Sequence, residues 1–132
     1  MRAVVITQKG PALREIAQPE AKAGQVLVKV HANALNRADL AMAAGHLHGT
    51  RGGVGAVMGL EWAGEVVALG QGVTGLLPGD RVMGSGGFAD YLAVPALQVL
   101  RIPDANLSFE EAACFPVALR TMHNAIVTAG AM

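Results

Sequence analysis

Side chains able to do chemistry are sparse in this sequence, and most stand alone. His46 and His48 lie two apart in GHLHG. Alternate residues of an extended segment project to one side, so the pair could begin a metal site. Zinc needs three or four protein ligands and no third is identifiable, which leaves two ordinary loop histidines. The single cysteine, Cys114, can form neither an internal disulfide nor a cysteine-rich zinc site; it reads as a buried helix residue. Glu61 is a lone glutamate in a strand pattern, which favours a solvated or hydrogen-bonded side chain over a catalyst.

Two loops match the dinucleotide fingerprint GxGxxG/A: Gly70, Gly72 and Gly75 in GQGVTG, and Gly84, Gly86 and Ala89 in GSGGFA. That motif works only where the glycines open a helix whose N-terminal amides hold a pyrophosphate. After Gly75 comes Leu76-Leu77-Pro78-Gly79, which breaks a helix in its first turn, and after Ala89 the pattern alternates as a strand. Both loops therefore read as glycine-rich turns.

The elements that must position such residues are mostly strands. Period-two alternation, the mark of a half-buried strand, recurs over 3–7, 13–16, 25–34, 60–69, 81–83, 88–94 and 99–102. In 25–34, Val26, Val28, Val30 and Ala32 face one way, and Gln25, Lys29, His31 and Asn33 the other. Short strands between Gly/Pro turns predict a barrel or sandwich. Helices come late: Ser108 and Glu111 form a capping box for a short helix through Ala113, and Leu119, Met122 and Ile126 recur at helical spacing over 117–129. Residues 38–44 have helix-forming composition, and Gly49 to Gly55 form a low-complexity loop expected to be mobile.

The chain has 132 residues, 52% hydrophobic and 15% charged, which predicts one globular domain. Ten basic side chains match ten acidic ones. With no excess charge and no basic run, nucleic acid and membrane surfaces are not expected partners. No apolar stretch reaches the ~20 residues of a spanning helix, and the N-terminus lacks a signal-peptide pattern, so a cytoplasmic location is the default expectation.

Five segments then carry a resemblance: ANALNRADL, MGLEWAGEVVALGQGV, PGDRV, GGFADYLAV and ALRTMHNAI. In this order and spacing they resemble the N-terminal GroES-like domain of the medium-chain dehydrogenase/reductase superfamily, over nearly the whole chain. The fold this implies is mainly β with short helices (α+β), a GroES-like partly open barrel. Zinc alcohol dehydrogenases of that superfamily place a cysteine ligand where this chain has Asn36 and a histidine ligand where it has Leu60. The chain is accordingly similar to the zinc-independent, zeta-crystallin-like quinone oxidoreductases, which implies no metal.

The resemblance implies a parent enzyme that moves hydride from NADPH to a quinone or another electron-poor double bond. NADPH would be held mainly by a C-terminal Rossmann domain absent from this chain, and the full-length protein would be a homo-oligomer. Cofactor-side candidates are Asn36, whose amide both donates and accepts, and Thr121, which matches a threonine near the nicotinamide. Pocket candidates are Asn36, Leu47, Leu60 and Trp62; Leu47 aligns with a tyrosine often present in the family, and its substitution puts the acceptor in doubt. Alternatives stand beside each. Asn36 could be a turn residue at a strand end, Asp39 reads as a helix cap, Thr121 could bond its own preceding turn, and Trp62 could be core. No catalytic residue is assigned. The chain stops where relatives enter the nucleotide domain, so on its own it is expected neither to bind NADPH tightly nor to turn over. Rival readings are a stand-alone GroES-like interaction or assembly module without chemistry, and an enoyl or alkene reductase of the same superfamily.

Overall fold

The computed structural model describes residues 1–130; the chain end at 131–132, where the sequence is expected to enter a further domain, lies outside them. Strand β1 (Arg2–Thr7) pairs antiparallel with β2 (Gly10–Glu15). The main sheet has the order β8-β3-β6-β7-β9, built from β3 (Gln25–Ala34), β6 (Glu61–Leu69), β7 (Arg81–Ser85), β8 (Tyr91–Pro95) and β9 (Leu100–Arg101). A small hairpin joins β4 (Leu47–His48) to β5 (Arg51–Gly52). Helix α1 (Arg37–Ala43) follows β3, and α2 (Phe109–Ala112) follows β9. The last helical stretch is continuous over 115–129, with α3 (Arg120–His123) flanked by wider π turns at Phe115–Leu119 and Asn124–Ala129.

β1 turns the sheet into the expected partly open barrel. Its edge bonds the 56–58 segment through Ile6 N–H to the Ala56 carbonyl (2.9 Å) and Met58 N–H to Val4 (2.8 Å). Along the same edge Val4 N–H donates to Phe88 (2.9 Å) and Asp90 N–H to Arg2 (3.0 Å). The Arg2 side chain fastens this seam through an ion pair with Asp90 at 3.1 Å. Because the Arg2 guanidinium and backbone N–H both donate to it, the Asp90 carboxyl lies below the usual carboxylate range.

β6 explains where the core sits. Successive strand residues point to opposite faces, so Trp62 and Val66 enter the barrel interior with Val26, Val28 and Val82, while Ala63 packs on the other face with Met83, Ala112 and Ala113. That second face is where α2 docks. A third cluster, Ile6, Met42 and Leu60, closes the barrel end beneath α1. The predicted alternation of β3 holds to Val30, and a register shift between Val30 and Ala32 then turns Ala32 toward the α2 side. Neither glycine loop opens a helix. The glycines of GSGGFA serve packing instead: a Cβ on Gly84 or Gly86 would lie 2.8 or 2.9 Å from the Trp62 ring, so the bulky indole excludes a side chain there.

One local expectation is corrected. Cys114 is exposed, because Ala112 and Ala113 take the two inward positions at the end of α2. The glycine loop 49–55 contains β5 and is tied at Gly55, whose N–H donates to Ile6 at 2.8 Å. The 117–129 segment is helical as expected, and its apolar stripe is open to solvent: Leu119, Met122 and Ile126 are 51%, 53% and 45% exposed. No described helix is long and apolar enough to cross a membrane.

Candidate functional site: a cleft beside a buried carboxylate

The site is organised around Glu61, at the first position of β6. Its neighbours Leu60 and Trp62 face the two apolar clusters, and Glu61 itself is fully buried. A carboxylate taken out of water needs hydrogen-bond donors in place of its hydration. Three supply them. Asn36 Nδ2 donates to Oε1 at 3.0 Å, and the backbone N–H groups of Val117 and Ala118 donate to Oε2 at 2.7 and 3.3 Å. Pro116, just before them, has no N–H to offer. The glutamate thus fastens the 115–129 helix and the end of β3 to one strand.

Asn36 lies between β3 and α1. Its backbone N–H donates to Asp39 Oδ2 at 2.7 Å, the capping role expected for Asp39, and that buried side chain holds the helix start in place. The acceptor-only character of the Glu61 carboxylate fixes the Asn36 amide with its nitrogen toward Glu61. Thr121, one turn beyond Val117, reaches the same region from the helix side.

Between these elements lie two contiguous hollows of about 390 Å³ each, which share His48, Leu60, Val117 and Thr121. Asn36, Leu60 and Thr121 are therefore brought to one cleft. Leu47 and Trp62 are not. Leu47 lies on β4 with its side chain 68% exposed and turned to Gly53, while Trp62 is 1% exposed and belongs to the barrel core. The tryptophan packs instead with Val26, Val28, Val66 and Val82 inside the barrel. Of the two loop histidines, His48 borders the cleft. Its neighbours there include no carboxylate or thiol.

Sequence reasoning missed the part played by Glu61. The signal lay in its surroundings: a carboxylate between Leu60 and Trp62, in a strand covered on both faces, has no route to solvent and must find donors inside. The donors themselves come from residues far along the chain, and no local pattern reveals them.

Residues 22–104 match the family model described as the alcohol dehydrogenase GroES-like domain. The chain belongs to this family. Among curated relatives of the domain is a 2-methylene-furan-3-one reductase from Solanum lycopersicum, 35% identical over 127 residues, which covers 87% of this chain and 32% of the relative. Among solved structures, the quinone oxidoreductase of Coxiella burnetii superposes with a TM-score of 0.85 at 28% identity, covering 98% of this chain and 45% of that one. A mycobacterial protein solved in complex with NADPH gives 0.81 at 28% identity, with 96% and 40% covered. This GroES-like domain thus spans less than half the length of each of the three. The family match ends before Thr121, so the helix side of the cleft rests on the wider structural likeness.

Proposed function

We propose that this chain is the substrate-side domain of an NADPH-dependent reductase that delivers hydride to a quinone or an activated alkene without zinc. The observation that carries the proposal is the linkage of Asn36, through Glu61, to the helix bearing Thr121, at the edge of an open cleft with a Leu60 and Val117 floor. A reduced nicotinamide, when bound, supplies the hydride. This chain's residues suit the edge of such a flat ring, with an apolar floor against one part and the Asn36 amide and Thr121 hydroxyl as polar contacts for another. A quinone or enone is already electrophilic, so orientation in the cleft supplies much of the rate.

The donor set supports the zinc-free part of the reading. Among the described residues no group of three His, Cys, Asp or Glu side chains could hold a metal ion, and the cleft positions aligned with zinc ligands are Asn36 and Leu60. The nucleotide's main binding surface is assigned to a Rossmann domain outside this chain, in a homo-oligomeric parent protein.

The test is NADPH oxidation by the chain joined to its downstream domain, with a benzoquinone and an α,β-unsaturated ketone as acceptors. Asn36→Ala and Thr121→Val are each expected to lower kcat/KM by roughly tenfold or more, as loss of a polar contact in a reacting complex does. Unchanged rates in both variants would remove the proposal. A second reading, reduction of an activated alkene in preference to a quinone, is favoured by the tomato relative, which is named for a methylene-furanone substrate. The acceptor with the higher kcat/KM decides between them.

A further inference from the structure

The arginines divide into two sets. Four lie away from the cleft and all are engaged: Arg2 with Asp90, Arg14 with the Leu13 carbonyl, Arg81 with Ala105 and Leu107, and Arg101 with Asp80 and Gly75. The remaining three, Arg37, Arg51 and Arg120, all border the cleft. Among the described residues none of these three has an ion-pair partner or donates a side-chain hydrogen bond to the protein. The cleft lining contains no carboxylate to answer them. The two acidic side chains behind it, Glu61 and Asp39, are buried and do not reach the lining; Glu61 is held by amide donors, and Asp39 takes the Asn36 N–H on one oxygen while the other has no partner among the described residues. In a chain of zero formal net charge, this is a local concentration of unanswered positive charge in a concave, partly apolar site.

We propose that the cleft binds an anionic group, a carboxylate or phosphate, through Arg51 and Arg120, with Arg37 at its outer edge. A guanidinium presents paired N–H donors that match the two oxygens of such a group. The hydroxyls of Thr50 and Thr121, on the same two walls, are further donors to it. The identity of the molecule rests on the reductase reading: the anion belongs either to the acceptor, as in an α,β-unsaturated acid, or to the phosphates of the nucleotide. The binding itself does not depend on hydride transfer.

Titration of the 15N-labelled chain followed by amide shifts separates these sources, with crotonate, its neutral isostere crotonamide, inorganic phosphate and NADPH as probes. The expected result is saturable movement of the Thr50, Arg51 and Thr121 amides with at least one anion and none with crotonamide. Arg51→Gln and Arg120→Gln should each weaken it by roughly tenfold, Arg51→Lys should restore part of it, and Arg14→Gln should leave it unchanged. Saturation by crotonate assigns the anion to the acceptor. Saturation by phosphate and NADPH in the millimolar range, on the order of 1 mM, but not by crotonate assigns it to the nucleotide's phosphates. Absence of saturation with every anion, or saturation indifferent to Arg51 and Arg120, overturns the proposal. A failed titration beside active hydride transfer to a neutral quinone removes this inference alone; intact anion binding without hydride transfer removes the reductase reading alone.

Discussion

Two regions of this chain meet at the cleft and are held in opposite ways. On the sheet side, Glu61 is fully buried and its carboxylate takes three donors from two separate segments. On the helix side, every residue from 120 to 130 is exposed. Only the first turn of the helix is packed, with Pro116 buried and Val117 against Leu60. The side chains at the root of the site are therefore fixed by the fold, whereas the outer helix is positioned only through its base. The cleft is thus anchored at the strand and open at the helix.

The contrast can be broken most forcefully at Glu61. Glu61→Ala leaves two backbone N–H groups and the Asn36 amide without an acceptor in a buried place, and should cost about 3–5 kcal/mol by denaturant unfolding. Glu61→Gln keeps the shape but turns one acceptor into a donor, and should cost about 1–3 kcal/mol. A loss under 0.5 kcal/mol in both would mean that the buried carboxylate does not anchor the site. Next in size is Gly86→Ala, whose new methyl would meet Trp62 and Leu92 at 2.9 Å; overpacking of this order costs about 1–3 kcal/mol, and a neutral result would show that the indole can shift.

The seam between β1 and the sheet offers a smaller effect with a pH signature. Since Arg2 holds the folded Asp90 carboxyl below its ordinary value, the unfolded chain binds the proton first as pH falls. The stabilisation is present above the unfolded carboxyl pKa and is lost as pH drops through the lower folded value, below about pH 4. Asp90→Asn should flatten that part of the acid unfolding curve, lowering stability near pH 7 by the small amount an exposed pair contributes and converging with the parent in acid. Smallest of all should be Ile126→Ser on the outer helix, within about 0.5 kcal/mol of the parent. A large loss there would show that the helix packs more firmly than its exposure implies.

How much of this was legible beforehand follows the range of the interactions. The strands around Val26–Val30 and Trp62–Val66 announce themselves by local alternation, and the Ser108–Glu111 capping box is present as expected, with Glu111 N–H donating to Ser108 Oγ at 3.0 Å. The bulge that turns Ala32 to the α2 side left no local mark, because register is decided by the partner strand. Asn36, Leu60 and Thr121, named from their positions in a family pattern, border one cleft. Trp62 was expected to line the pocket or the core, and it packs in the core. The union of Glu61 with Val117 and Ala118 spans more than fifty residues, and neither periodicity nor motif reaches that far. The stripe of Leu119, Met122 and Ile126 is legible from helical spacing, and its exposure shows that an apolar stripe need not pack within its own chain.

The central claim, that this domain supplies the substrate side of the cleft and leaves the main nucleotide site to another domain, is tested most directly by a fluorescence titration of NADPH into the purified chain. The account predicts no saturable binding at micromolar concentrations. Saturation in that range would contradict it and would place a complete nucleotide site within these residues.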